Sequence, residues 1–308
     1  MTFSKPGKPT STAHAPMRWM QHLALGLCVL VLAACSAIKL GYNNAASLAH
    51  GYLMSSIEWD DAQSRQVRAG LDRIVAWHRQ NELPVLAAQL EQAERRLVST
   101  HQTAGTITVA DLEVHYKAIE ASLARTANTA APEIANLMLG LRQDQIQQIE
   151  FAFQQSNKAY REERLPNSRA KRLEASAERM EKRFERWLGS LDRAQRDRIV
   201  RWAEESLQYS ELRYQRRLEQ QAEFIRLAKL AASQQIDETS LSLRIANLLN
   251  SWQNPTTAQA RLHAKDRLNA TLQLVADVLN MASLQQRQRA ATRSAAWSDD
   301  LSMLAKTP

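Results

Sequence analysis

The hydrophobic positions of this chain fall three and four residues apart over most of its length. Ile199, Ala203, Leu207, Ser210, Tyr214, Leu218, Ala222 and Ile225 form one such stripe, with arginine and glutamate between them. An α-helix turns once every ~3.6 residues, so this spacing keeps the stripe on one face for about seven turns. Neither glycine nor proline interrupts the chain between Gly189 and Pro255. The spacing predicts one unbroken helix from Asp192 to about Ala232, roughly 60 Å long. Leu173, Ala177, Met180, Phe184 and Leu188 make a second stripe, and Val67, Leu71, Ile74 and His78 a shorter third. No stretch alternates with the period of two that a half-buried strand requires. Pro84, Pro132, Pro166 and Pro255 each fall at a plausible helix start, where the missing N–H had no helical partner in any case. Helices are expected to begin near Asp60, Pro84, Thr108, Pro132, Gln145, Ser168, Asp192, Asp237, Pro255 and Ser283. The fold class is all-α, an elongated bundle of long amphipathic helices.

The first forty residues break this pattern. Leu23 to Ala34 carries no charge and no strong polar group. It is shorter than the ~20 residues that cross a bilayer core, but it has the length of a signal-peptide hydrophobic region, with Arg18 ahead of it. The run ends in Leu32-Ala33-Ala34-Cys35, which resembles the bacterial lipobox. That motif needs small residues before the cut and a sulfur nucleophile just after it. The resemblance implies a lipoprotein signal peptide over residues 1–34, and a Cys35 bearing a diacylglycerol thioether and an N-linked palmitate-type chain. At ~0.8 kcal/mol per buried methylene, three chains hold a protein firmly in a bilayer. Ser36, rather than aspartate, follows the cysteine, which by resemblance to known sorting rules implies the periplasmic face of the outer membrane. Residues 35–57 then read as a lipidated N-terminus and linker, and 58–308 as the helical domain, in two packed sub-bundles, 58–165 and 166–308.

Charge narrows the partners. The whole chain holds 40 basic and 32 acidic residues. Residues 1–34 contain Lys5, Lys8 and Arg18 and no acid, so the chain from Cys35 onward carries 37 basic against 32 acidic residues, a net +5. For a lipid-anchored protein this mild excess points to anionic head groups, cell-wall polymer or a plainly solvated surface, and not to nucleic acid. The only other cysteine, Cys28, lies in the signal segment, so neither a disulfide nor a thiolate metal site is expected. Arg161, Arg164, Arg169, Lys171, Arg172, Arg179, Lys182, Arg183 and Arg186 form a basic-rich stretch interleaved with Glu162, Glu163, Glu174, Glu178, Glu181 and Glu185. Mixed signs at helical spacing read as a solvated, weakly ion-paired face rather than a polyanion groove.

Four places share one punctuation: "WDDAQ" from Trp59, "LRQDQ" from Leu141, "LDRAQ" from Leu191 and "ASLQQ" from Ala282. Each ends in a glutamine: Gln63, Gln145, Gln195 and Gln286. Asp60, Asp192 and Ser283 lie three residues ahead of theirs, the spacing of a capping box, in which side chains satisfy the orphan N–H groups of a helix start. "LDRAQ" and "LRQDQ" also resemble the Leu-Thr-x-x-Gln motifs of Spy-type periplasmic chaperones, with Asp192 and Arg142 in place of the threonine. That resemblance implies a helical cradle for unfolded clients.

A wider resemblance covers most of the chain after the signal. "CSAIKLGYNNAASL", "DDAQ", "AWHRQNELP", "APEIANLMLGLRQDQ" and "RWLGSLDRAQ" look like a family of proteobacterial lipoproteins with a domain of unknown function. The matching positions include Tyr42, Asn43, Trp77, His78, Arg79, Leu83, Pro84, Trp187 and Gly189. The resemblance implies the anchor and the helical fold, and brings no activity.

The chemistry-bearing constellations are missing from the sequence: no glycine-rich phosphate cradle, no Gly-x-Ser-x-Gly elbow and no His-Glu-x-x-His. His50, His78, His101, His115 and His263 are not paired at i, i+3 or i+4, and Glu113 and His115, two apart, point to different helix faces. His78 reads as a core histidine bonded to a neighbouring helix. Glu58, Asp60 and Asp61 read as capping carboxylates, and Trp187, Trp202 and Trp252 as core aromatics. The expectation is a protein without catalytic activity, metal or cofactor. It is either a membrane-tethered binding scaffold or chaperone-like envelope protein, or a structural protein that contacts cell wall or an assembly machine.

Overall fold

The computed structural model describes residues 38–102, 105–251, 255 and 257–307, the side chains of residues 100–102 apart. The lipobox residues Leu32, Ala33, Ala34 and Cys35 lie outside that range, as does Trp252. Among the described residues every regular element is helical. The chain is already helical at 38–43 and turns at Asn44 into α1 (Ala45–Ser56). There follow α2 (Asp61–Asn81), α3 (Leu83–Gln102), α4 (Val109–Leu139), α5 (Gln143–Arg164), α6 (Arg169–Leu188), α7 (Arg193–Ser206), a 3₁₀ turn (Leu207–Tyr209), α8 (Ser210–Ala232), α9 (Glu238–Ser251), α10 (Ala258–Met281) and α11 (Leu284–Lys306). The all-α bundle is as the periodicity requires.

Two apolar clusters hold it together. The first gathers Leu97 and Ile107 with Ala177, Met180, Phe184 and Leu188 of α6, Ile199, Trp202 and Ala203 of α7, Leu274 and Val278 of α10, and Ala290 and Ala291 of α11. The second gathers Ala131, Ala135 and Met138 of α4, Ile146 and Ile149 of α5, Leu227, Ala228 and Ala231 of α8, and Leu241, Ile245 and Leu248 of α9. Each cluster draws on both sides of residue 165, so the sub-bundles 58–165 and 166–308 do not coincide with the cores. The reason is long-range pairing: the last helix, α11, lies along α3, and α9 lies along α4.

Three boundary expectations differ from the structure. The segment 38–57 is mostly helix rather than linker, because Ala46 is buried against the body and α1 packs along α2. Pro132 does not start a helix; it sits inside α4 on the exposed face. Its neighbours Ala131 and Ala135 are fully buried in the second cluster, and that packing outweighs a proline cost of ~3 kcal/mol. The stripe from Asp192 to Ala232 is broken at Leu207–Tyr209. A 3₁₀ turn advances ~20° more per residue than an α-helix, so three residues swing the apolar face by ~60°. Upstream of that turn the stripe faces the first cluster, through Ile199 and Ala203. Downstream, Leu227 and Ala228 face the second. Neither glycine nor proline is needed for such a break.

Candidate functional site

The four motif glutamines do more than start helices. Asp60 accepts the Gln63 N–H at 2.8 Å while Gln63 Oε1 accepts the Asp60 N–H at 3.2 Å, a complete capping box. Asp192 with Gln195, and Ser283 with Gln286, close the same box. At Arg142 only half of it exists: the Arg142 N–H donates to Gln145 Oε1 at 2.9 Å, and a guanidinium has no lone pair with which to accept in return.

Having capped their own helices, the glutamines pair with one another across the fold. Gln63 Nε2 donates to Gln145 Oε1 at 3.1 Å, and Gln145 Nε2 donates back to Gln63 Oε1 at 2.7 Å. Each amide then uses its second N–H on the loop ahead of its partner: Gln63 reaches Gly140 O at 2.7 Å and Gln145 reaches Glu58 O at 2.8 Å. Gln195 and Gln286 repeat the arrangement with two reciprocal bonds of 3.1 Å. Gln286 continues to Ser190 O at 2.7 Å, and Gln195 to Val278 O at 3.4 Å. Gln145 and Gln195 are fully buried, Gln63 nearly so. These are two clips, one joining the starts of α2 and α5, the other those of α7 and α11. A neutral amide pair has no proton to transfer near neutral pH. What it supplies is register between helix ends.

A second concentration of matching positions lies where residues 38–43 meet the ends of α2 and α11. Tyr42 Oη and His78 Nδ1 are 2.9 Å apart; a neutral imidazole that accepts the phenol proton there carries its own proton on Nε2. Arg79 donates to Asn43 Oδ1 at 3.1 Å, stacks its guanidinium 5.3 Å from the Tyr42 ring, and reaches the carbonyls of Leu304 and Thr307 at 3.4 Å. Lys39 pairs with the buried Asp300 at 3.1 Å. Burial raises the Tyr42 phenol, with Arg79 opposing. Burial also lowers the His78 imidazole, with Glu82 opposing.

Glu82, unremarked in the sequence, is buried between α2 and α3 and accepts a bidentate pair from Arg125 at 2.7 and 2.8 Å. That pairing, chiefly its hydrogen bonds, and Ser122 hold its carboxyl below the usual range against its burial. Leu83 is buried, Pro84 stands exposed in the first turn of α3, and Trp77 is half-buried. Trp187 packs against Trp297 with ring centroids 5.0 Å apart, and Arg293 lies over both. Gly189 ends α6 at φ 81°, ψ −151°, a conformation open to glycine alone, with Arg289 packed on it. Among the described residues no three His, Cys, Asp or Glu side chains converge as metal ligands. Glu113 pairs with Lys117 at 2.9 Å, and His115 meets Gln89 at 2.8 Å.

A family of unknown function, DUF6279, matches residues 56–253, nearly two thirds of the chain, and the chain belongs to that family. No curated protein and no solved structure matches it.

Proposed function

We propose that this member of the DUF6279 family is a lipid-anchored, periplasm-facing scaffold of the outer membrane that works by binding rather than catalysis. The observation that carries the reading is the N-terminal segment. Ile38, three residues after the lipobox-like Cys35, is already helical, and no Asp, Glu, Lys or Arg occurs from Leu40 to Ile57. Along that segment Leu40, Leu48 and Tyr52 are 66%, 64% and 72% exposed. An uncharged segment that leaves large apolar side chains in water, so close to an acylated cysteine, is suited to the headgroup boundary of a bilayer. The same segment is bonded to the body at Tyr42, Asn43, Ser47 and His50, so an anchor at Cys35 holds the bundle close to the membrane.

The chaperone-like variant of this reading draws less support. Among the described residues the remaining exposed large apolar side chains are distributed over eight helices, and most of the residues lining the cavities beside α8 are of charged or polar type. Metabolic labelling with palmitate tests the anchor. The wild type is expected to take up label and sediment with membranes, and Cys35→Ser to do neither. Label retained in Cys35→Ser would overturn the reading.

A further inference from the structure

The basic-rich stretch of α5 and α6 is not neutralised by its interleaved glutamates in the way that spacing alone suggests. Lys182 pairs with Glu178, and Arg164 with Glu163 at 2.9 Å. Arg179 spends its hydrogen bond on the Glu163 backbone carbonyl, and among the described residues no ion pair joins Arg183 to a carboxylate. Arg164, Arg179 and Arg183 lie near Arg213 of α8, and beyond it stand Arg216, also of α8, and Arg267 of α10. Arg213 lies within the field of Arg164, Arg183 and Arg267, and Arg267 within that of Arg216. Cations from four helices therefore face one another.

They surround a concavity. A cavity of about 230 Å³ opens between α8 and α10, with Arg213, Arg216, His263 and Arg267 in its lining and Tyr209 and Leu212 as its apolar wall. Glu219 is the carboxylate of the lining, and it faces Arg216. A larger cavity of about 430 Å³ adjoins it, sharing Arg216 and Glu219 and adding Arg244 and the ion-paired Arg226 and Glu223. Among the described residues neither Arg213 nor Arg267 has a carboxylate within ion-pair distance or a hydrogen-bond acceptor. Elsewhere the fold does give arginines such partners: Arg73 holds Glu133, Arg125 holds Glu82, and Arg198 holds Asp277.

The scaffold beneath is fixed. Tyr160 and Tyr214 stack at 5.7 Å, Arg161 covers the Tyr214 ring and Arg217 the Tyr160 ring, and Arg217 is bonded in turn to Asn157 and Ser156. Guanidinium groups crowded together repel, and each keeps donors that need oxygen acceptors. A multiply charged anion relieves both costs. The planar fork of arginine matches a phosphate in particular, taking two oxygens at once.

We propose that this cleft is a binding site for a multiply charged, phosphate-bearing anion, held by Arg213 and Arg267. The site stands apart from the anchor at Cys35 and survives if the anchor reading fails. Such a ligand is either a free phosphorylated compound or the headgroup of an anionic lipid. Calorimetry on the detergent-solubilised full-length protein separates them, with inorganic pyrophosphate as one probe and short-chain phosphatidylglycerol below its micellar concentration as the other. Wild type is expected to bind one of the two, more weakly as salt rises, and the tighter probe identifies the source. R213Q/R267Q should bind at least tenfold more weakly, while its melting temperature without ligand stays level or rises, since repulsion has been removed. R213K keeps the charge and loses the fork, and should also weaken binding. Arg186→Gln, also on α6, should bind as wild type. Equal loss in Arg186→Gln and R213Q/R267Q, or no binding of either probe to the wild type, would overturn the site.

Discussion

Removing Gln145 separates a clip from a mere helix cap. Its side chain is fully buried and makes four hydrogen bonds: from the Arg142 N–H, from Gln63 Nε2, to Gln63 Oε1 and to Glu58 O. Gln145→Ala strands the Arg142 N–H and leaves a void. An unsatisfied group costs about 1–3 kcal/mol, so the total is expected near 3 kcal/mol. A cap alone is worth ~1 kcal/mol. The sharper measure is a double-mutant cycle in urea, followed by circular dichroism on a chain beginning at Ser36. Gln63 and Gln145 share two reciprocal bonds, each worth ~1 kcal/mol net, so Gln63→Ala and Gln145→Ala should couple by about 2 kcal/mol. Gln63→Ala and Gln195→Ala lie in different clips and should add to within ~0.5 kcal/mol. Equal coupling in the two cycles, or a Gln63/Gln145 coupling below ~0.5 kcal/mol, would refute the clip.

Glu82 and Arg125 should respond unequally. Breaking a buried ion pair costs ~3–5 kcal/mol when the survivor is stranded. Arg125→Met strands the fully buried Glu82, and because Arg125 itself is 47% exposed the expected loss is about 2 kcal/mol. Glu82→Gln leaves an amide that still reaches Arg125, and should cost under ~1 kcal/mol; the reverse order in urea midpoints would contradict the assigned burial. Burial holds His78 below the ordinary imidazole range, so the unfolded chain takes up its proton at a higher pH than the folded one. Its contribution is therefore fully present above about pH 6.5 and is lost as pH falls through that value toward the lower folded pKa. His115, lowered in the same way, adds to the slope. His78→Gln should flatten the decline in melting temperature between pH 7 and 5, and an unchanged slope would exclude His78 as a source.

The sequence by itself determined the class of fold and most helix starts, because both are local. A stripe at ~3.6-residue spacing and an Asp, Thr or Ser cap act within one turn, and the starts at Asp60, Thr108, Asp192 and Ser283 stand where those signals put them. Tyr42, Asn43, His78 and Arg79 stood together in the sequence only as positions of a resemblance, not as neighbours. What only the tertiary structure decided joins residues far apart in the chain. The partner of Gln63 is 82 residues away, that of Gln195 is 91, and the carbonyls that Arg79 reaches are more than 200. Pro132 passes unbroken through α4, and the α7–α8 stripe bends without glycine or proline. In both places the packing of two separate cores outweighs a local preference of at most a few kcal/mol. The arginines of α5 and α6 look neutralised in sequence because i, i+4 spacing sees one helix at a time. Arg164, Arg179 and Arg183 lie instead beside Arg213 of α8, brought close by packing that no local spacing records.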